Sequence, residues 1–131
     1  MKGFSLIEVV VVMALIALTL TLAGPRIGAG LGRLELERTA QTIRNFIKLG
    51  RVQAERKDRE YYVVIDRKQG AVRLLDPDMK IVRQEQLPSS VQINFDSNSD
   101  MAGLTILPSG IVRGNPVRLH GRAGELAVDV Q

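Results

Sequence analysis

An apolar segment of about twenty residues near the start of the chain constrains the fold more than any other feature. Between Phe4 and Ala23 the one charged residue is Glu8, and Gly24-Pro25 ends the segment. Twenty helical residues span about 30 Å, which matches the hydrocarbon core of a bilayer. An ionised carboxylate inside such a segment costs up to about 3 kcal/mol to insert. Glu8 is therefore a candidate functional residue that requires a partner.

The residues around Glu8 form a motif. Gly3-Phe4-Ser5-Leu6-Ile7-Glu8-Val9 resembles the signature of type IV prepilins, in which a short basic leader ends in glycine, phenylalanine follows, and glutamate comes four residues later. The resemblance implies that a prepilin peptidase/methyltransferase cuts between Gly3 and Phe4 and methylates the new amino group of Phe4. It also implies that Glu8 pairs with that amine, on a neighbouring subunit, as a filament forms. In a low-dielectric helix bundle the two charges are tolerable together and expensive apart.

Two other interpretations of the segment stay open. It is also compatible with a secretory signal peptide, with Lys2 as the basic region and Thr21-Leu22-Ala23 as the cleavage site, although this leaves Glu8 unexplained. The second is a plain single-pass anchor with Glu8 near the headgroups. Basic residues flank both ends of the segment, so the charge pattern does not set its orientation. The prepilin resemblance places the amino terminus in the cytoplasm and the rest of the chain in the periplasm.

Composition limits the part of the chain that lies beyond the apolar segment. The chain has 131 residues, which leaves room for one domain after the anchor. It has no cysteine, so packing rather than disulfides must hold a periplasmic domain together. Aromatic residues make up 4% of the chain and the net charge is +4, with acidic and basic residues interleaved. This composition argues against aromatic platforms that stack the bases of single-stranded nucleic acid, and we do not expect nucleic acid as a partner.

A Gly/Pro-rich segment comes after the apolar run. Gly24 and Pro25 predict a helix break, and three further glycines occur before residue 33. One interpretation is a simple linker over residues 25–33. The other, which the prepilin resemblance implies, is a segment that is helical in the free subunit and stretches or melts in a filament. Both predict flexibility here.

The remaining residues, 34–131, predict one α+β domain. An amphipathic helix is expected over residues 34–58, because Leu36, Ala40, Ile43, Ile47, Gly50 and Ala54 recur at spacings of three and four. The small residues Gly50 and Ala54 would let this helix lie close to a sheet. Antiparallel strands are expected at 61–65, 71–75, 81–87, 91–95, 104–107, 111–112, 117–120 and 126–130. A helix followed by short strands predicts a sheet packed on one face of the helix.

The carboxy-terminal half carries a second resemblance. The turn Pro108-Ser109-Gly110, the strand Val117-Arg118-Leu119 and the glycine turn at 121–124 are similar to the GspH/FimT family of minor pseudopilins and minor pilins. This implies an H-type minor pseudopilin of type II secretion, with a FimT-like minor pilin of a type IV pilus as the alternative. DNA-binding FimT-type proteins often carry a Gly-Arg motif after the last strand. Here Gly121-Arg122 precedes that strand, so DNA binding does not carry over.

Candidate binding residues are few. Arg113, Arg118 and Arg122 are the candidate anion contacts that a DNA-uptake receptor would need. Asp96 to Asp100 alternates oxygen ligands as calcium loops do, but Met101 and Leu107 replace the glycine and glutamate that such a loop requires, which favours a polar turn. His120 is the single histidine. We expect no metal, no cofactor and no catalytic centre.

These observations predict a pilin-like α+β protein with a long N-terminal helix on a small antiparallel sheet domain. Its segments are a leader at residues 1–3, a transmembrane helix at 4–24, the flexible segment at 25–33 and a globular domain at 34–131. The expected location is the inner membrane, crossed once, as part of a pseudopilus or pilus. The expected partners are the processing peptidase and other pseudopilins or pilins, which it contacts through the N-terminal helices.

Overall fold

The computed structural model describes residues 3–130, and for residues 23–29 it describes the backbone alone. It begins with one long helix, α1 (Leu6–Lys57), of 52 residues. Ser5 caps its start, because the Ser5 side chain accepts a hydrogen bond from the Glu8 backbone N–H at 3.3 Å. The helix ends at Asp58, which adopts the left-handed conformation at φ 50° and donates its N–H to the Ala54 carbonyl.

The α1 backbone is continuous through Gly24 and Pro25, so the predicted helix break at these two residues is wrong. Proline removes one main-chain donor, yet its fixed φ is itself helical, and the turns on both sides can maintain the remaining hydrogen bonds. The segment at 25–33 is therefore part of α1, as expected if it is helical in the free subunit, and its flexibility stays a prediction. The helix predicted at 34–58 is the carboxy-terminal part of the same element.

Eight strands follow α1, at the positions that the sequence predicted to within three residues at each end. They are β1 (Tyr61–Asp66), β2 (Ala71–Leu75), β3 (Ile81–Gln86), β4 (Gln92–Phe95), β5 (Met101–Ile106), β6 (Val112–Arg113), β7 (Val117–Gly121) and β8 (Gly124–Val128). Every pairing between them is antiparallel. The predicted α+β class, with a long N-terminal helix and antiparallel strands, is confirmed.

The strands divide into two sheets where one was expected. The larger sheet has the order β3-β2-β1-β5-β6 and the smaller one the order β4-β7-β8. The division follows from the chain path, because β5 returns to pair with β1 while β4 pairs with β7 instead. Both sheets contact α1. The larger sheet does so through β1, β2 and β5, and the smaller sheet through β7 and β8.

The core lies between α1 and the two sheets. The predicted apolar stripe of α1 is buried from Leu36 to Ala54, and Ala40 and Ile43 have no exposed surface. Phe46 fills the space between the stripe residues. Alternate residues of β1 and β7 face the same core, including Val63, Ile65 and Leu119. The carboxy-terminal half of α1 is thus fixed to the domain.

Candidate functional site

The amino-terminal part of α1 stands apart from this core. Every residue from Gly3 to Leu22 is exposed, including Phe4 at 84% and Leu6 at 86%. Among the α1 residues whose burial is described, the first buried one is Gly32, where the β7–β8 turn contacts the helix. The apolar side chains lie on all faces of this helix, and such a helix requires burial in another environment. This projecting segment is the candidate functional site.

Membrane crossing is not confirmed for this segment. In the described part of the chain, no helix combines the length and the apolar character needed to cross a membrane. The transmembrane helix at 4–24 stays a prediction. Of the predicted leader, Met1 and Lys2 lie outside the described residues.

Gly3 and Phe4, the predicted cleavage site, precede the first helical turn. Both are exposed and neither is in a helix or strand. A Cβ placed on Gly3 would have no heavy atom within 4 Å, so the fold of the subunit does not require glycine at this position. The accessible backbone here, outside any helix or strand, is a site that a peptidase can reach. Cleavage and methylation stay predictions.

Glu8 lies in the first turn of α1, one turn after Phe4. Its backbone N–H is bound by Ser5, and its carboxylate lies near the positive end of the helix dipole. Its side chain has no salt bridge with any residue in the described part of the chain. Glu8 is therefore available to a cation that another molecule, or the newly formed amine of Phe4, would supply.

The three candidate anion contacts lie on different elements of the fold. Arg113 lies in β6, at the edge of the larger sheet, whereas Arg118 lies in β7 of the smaller sheet. Arg122 follows in the β7–β8 turn and packs near Gly32, where its Cβ would lie 3.4 Å from a Cβ on that glycine. All three are exposed. The sequence could not assign these strands to different sheets.

The Asp96–Asp100 loop is tied to the β1–β2 turn. Asp100 forms salt bridges with Arg67 at 3.0 Å and with Lys68 at 2.8 Å. The hydrogen bond from Lys68, followed by that from Arg67, lowers the pKa of the Asp100 carboxyl below its ordinary value. Within the described residues no group of three or more metal-binding side chains occurs. The second carboxylate of this loop thus already has two cationic partners.

Sequence reasoning missed a groove between α1 and β3. It is lined on α1 by Thr42, Asn45 and Lys48 and on β3 by Arg83 and Glu85. The Arg83 guanidinium lies 5.7 Å from the centroid of the Phe46 ring. The polar sequence of residues 83–86 could have indicated that this strand lies at the edge of a sheet. That the strand lies beside α1 could not be predicted, because it depends on the order of strands in the sheet.

Comparisons with known proteins agree with the amino-terminal motif. Residues 1–24 match the prokaryotic N-terminal methylation motif. No curated protein sequence matches the chain. Among solved structures, the minor pseudopilin EpsH from the type 2 secretion system of Vibrio cholerae is similar, with 16% sequence identity and a TM-score of 0.49. The similarity covers 71% of this chain and 95% of that chain.

The chain thus carries a prokaryotic N-terminal methylation motif at residues 1–24, on the amino-terminal part of a long helix that packs on an antiparallel domain. Such a motif implies processing by a prepilin peptidase and a place among pilin or pseudopilin subunits.

Proposed function

We propose that the chain is an H-type minor pseudopilin of a type II secretion system. Its task is structural: it joins, and helps to initiate, a short periplasmic pseudopilus that drives folded proteins through the outer membrane. The amino-terminal part of α1 forms the helical core of that filament with other subunits. The domain at residues 34–131 lies on the filament surface.

One observation carries the proposal: an N-terminal methylation motif spans the start of a helix whose amino-terminal part is apolar and exposed on all sides. Burying one large apolar side chain contributes about 1.5–3 kcal/mol, and the segment exposes more than ten of them. A bundle of such helices removes this surface from water. Before assembly, the same segment anchors the subunit in the inner membrane with the domain in the periplasm.

Glu8 gives the assembly its register. An uncompensated carboxylate inside an apolar bundle is costly, and an ammonium group within a few ångströms removes most of that cost. Cleavage after Gly3 creates such a group on Phe4. Because Glu8 has no salt bridge with the described residues, its charge is available for the amine of a neighbouring subunit.

Residues 108–124 resemble the GspH/FimT family, which includes both minor pseudopilins of type II secretion and minor pilins of type IV pili. Co-purification from the native membrane distinguishes the two. Recovery with the other pseudopilins of a secretion system supports the proposal. Recovery with type IV pilus subunits assigns the chain to the FimT-like minor pilins instead.

The first test is the intact mass and amino-terminal sequence of the protein from its native membrane. We expect a chain that begins at Phe4 and carries one added methyl group. A chain that begins at Gly24 identifies a signal peptide, and an uncut chain identifies a simple anchor. Either of these results removes the filament role.

A further inference from the structure

β3 is an edge strand with an unpaired outer side. It pairs with β2 alone among the described strands, and all six of its residues are exposed. The N–H of Leu87, just beyond β3, donates to the Gly70 carbonyl across this pair. Because ladder bonds alternate along an antiparallel pair, Gln84 and Gln86 direct their backbone N–H and C=O groups away from β2. These groups are accessible to an extended chain.

The groove beside this edge has the length of a short strand. Two adjoining depressions of about 540 and 360 Å³ share Thr42, Asn45 and Glu85, and together they form the α1–β3 groove. On α1 the lining runs with helical periodicity from Arg38 to Val52. Fourteen helical steps cover about 21 Å, which an extended segment of about six residues also spans.

The lining of the groove is cationic with an apolar floor. Arg38, Lys48 and Arg83 contribute positive charge, and Glu85 is the one acidic residue of the lining. None of the three cations forms a salt bridge within the described part of the chain. Leu49 and Val52 provide apolar surface beside them, whereas the Phe46 ring is 2% exposed and lies under Arg83. This charge balance favours a ligand that carries carboxylates.

We propose that the α1–β3 groove binds an extended acidic segment of a partner protein, which adds to β3 as a sixth strand of the larger sheet. Backbone hydrogen bonds to Gln84 and Gln86 supply the pairing, as in other complexes formed by strand addition. Carboxylates on the side facing α1 contact Arg38, Lys48 and Arg83. This proposal does not depend on the filament role.

The probe is a fluorescein-labelled peptide of about eight alternating valine and glutamate residues, a length that covers the groove. Its binding to the full chain in detergent micelles is measured by fluorescence anisotropy. A peptide with lysine in place of glutamate is the control for charge. We expect saturable binding of the acidic peptide, weakened by salt, and no binding of the basic one.

Two substitutions at one position separate strand addition from charge attraction. Gln84→Pro removes an outward N–H and is sterically tolerated at an edge strand, whereas Gln84→Ala keeps the N–H and loses the same side chain. We expect the proline variant to bind the acidic peptide at least about fivefold more weakly than the alanine variant, because one backbone hydrogen bond is lost and the paired strand cannot approach. Circular dichroism confirms that both variants fold.

Charge reversal tests the cationic lining. Lys48→Glu should weaken binding of the acidic peptide about tenfold, and Arg56→Glu, at an exposed position on α1 outside the groove, should leave it unchanged. Equal affinities of the Gln84→Pro and Gln84→Ala variants overturn the proposal. Absence of binding also overturns it, and would mean that the charged residues of β3 only prevent pairing of this edge with other strands. Self-association abolished by Gln84→Pro would also overturn it, since the occupant would then be a second copy.

Discussion

Gly50 of α1 lies against Ile106 of β5, so closely that a Cβ placed on the glycine would be 2.3 Å from the Ile106 Cδ1 atom. Leu74 Cδ1 in β2 would lie 3.2 Å from the same Cβ. The larger sheet therefore approaches the helix backbone at this point. Ala54, one turn later, is fully buried and continues the close approach. The spacing of small residues on α1 sets the distance between helix and sheet.

Gly50→Ala should destabilise the protein although alanine is the better helix former. The added methyl group must displace Ile106 and Leu74, and such overpacking typically costs about 1–3 kcal/mol. The gain in helix propensity is about 1 kcal/mol, which equals only the lower end of this cost. We expect a lower midpoint in urea denaturation of the full chain, followed by circular dichroism.

Gly30→Ala is the matched control in the same helix. A Cβ at Gly30 would meet no heavy atom within 4 Å, so the propensity gain of about 0.5–1 kcal/mol should appear without a steric cost. Opposite shifts of the two midpoints are the expected result. An unchanged or raised midpoint for Gly50→Ala would show that the helix and sheet are not in tight contact.

The close approach at Gly50 was predictable because the side-chain period of a helix is fixed. Leu36, Ala40, Ile43, Ile47 and Ala54 were predicted as the buried stripe, and all of them are buried. The strand positions were equally predictable, because turn residues and alternating apolar residues mark them locally in the sequence. Such local patterns also defined the prepilin motif around Glu8.

Properties that depend on strand order were not predictable. The division into two sheets places Arg113 and Arg118 in different sheets, although they are only five positions apart in sequence. It also places β3 at an edge, which creates the α1–β3 groove. The break predicted at Pro25 was wrong because a local propensity does not include the stability of the helical turns on both sides. Pairing between distant segments decides the division into two sheets and the edge position of β3.

Asp66 should contribute to stability through two contacts that can be separated. Its Oδ1 accepts the Gln69 backbone N–H at 3.1 Å, and its Oδ2 lies 3.7 Å from Nη1 of Arg73. Asp66→Asn keeps an acceptor for the turn and loses the ion pair, whereas Asp66→Ala loses both. Because the residue is buried, we expect the alanine variant to lose about 1–3 kcal/mol and the asparagine variant less. Equal losses, measured by urea denaturation, would show that the turn hydrogen bond contributes nothing.

Asp100 should make stability depend on pH in the acid range. Hydrogen bonds from Lys68 and Arg67 hold the folded pKa of Asp100 below its ordinary value of 3.8. A depressed carboxyl pKa stabilises the fold above the unfolded pKa, and this contribution disappears as the pH falls through the folded value. Asp100→Asn should therefore lower the melting temperature near neutral pH and leave it unchanged well below pH 3.8.

The matched control for Asp100 is Asp96→Asn in the same loop. Asp96 is exposed and forms no salt bridge within the described residues, so its variant should follow the wild-type pH profile. Added salt should reduce the difference between Asp100→Asn and the wild type, because the pairs are exposed. A constant difference from neutral pH to well below 3.8 would contradict the ion-pair explanation.

Gly3→Leu should block processing without affecting the fold. The site has no neighbouring atoms within 4 Å of a Cβ, so any defect reflects recognition by the peptidase. Gly3→Ala should be processed slowly, since its side chain is smaller. The measurement is the ratio of uncut to cut protein in membranes by intact mass. Efficient cleavage of the leucine variant would place the processing site elsewhere.

Glu8→Ala should separate processing from assembly. The substitution removes a carboxylate from an apolar helix, so membrane insertion should be retained or improved. Filament incorporation should be lost, because the amine of Phe4 on the neighbouring subunit would have no partner in the bundle. Cross-linking of membranes, with the processed fraction measured in parallel, distinguishes the two steps. Glu37→Ala, at an exposed position in the domain part of α1, is the control and should assemble normally. Normal incorporation of Glu8→Ala would refute the pairing of Glu8 with the amine.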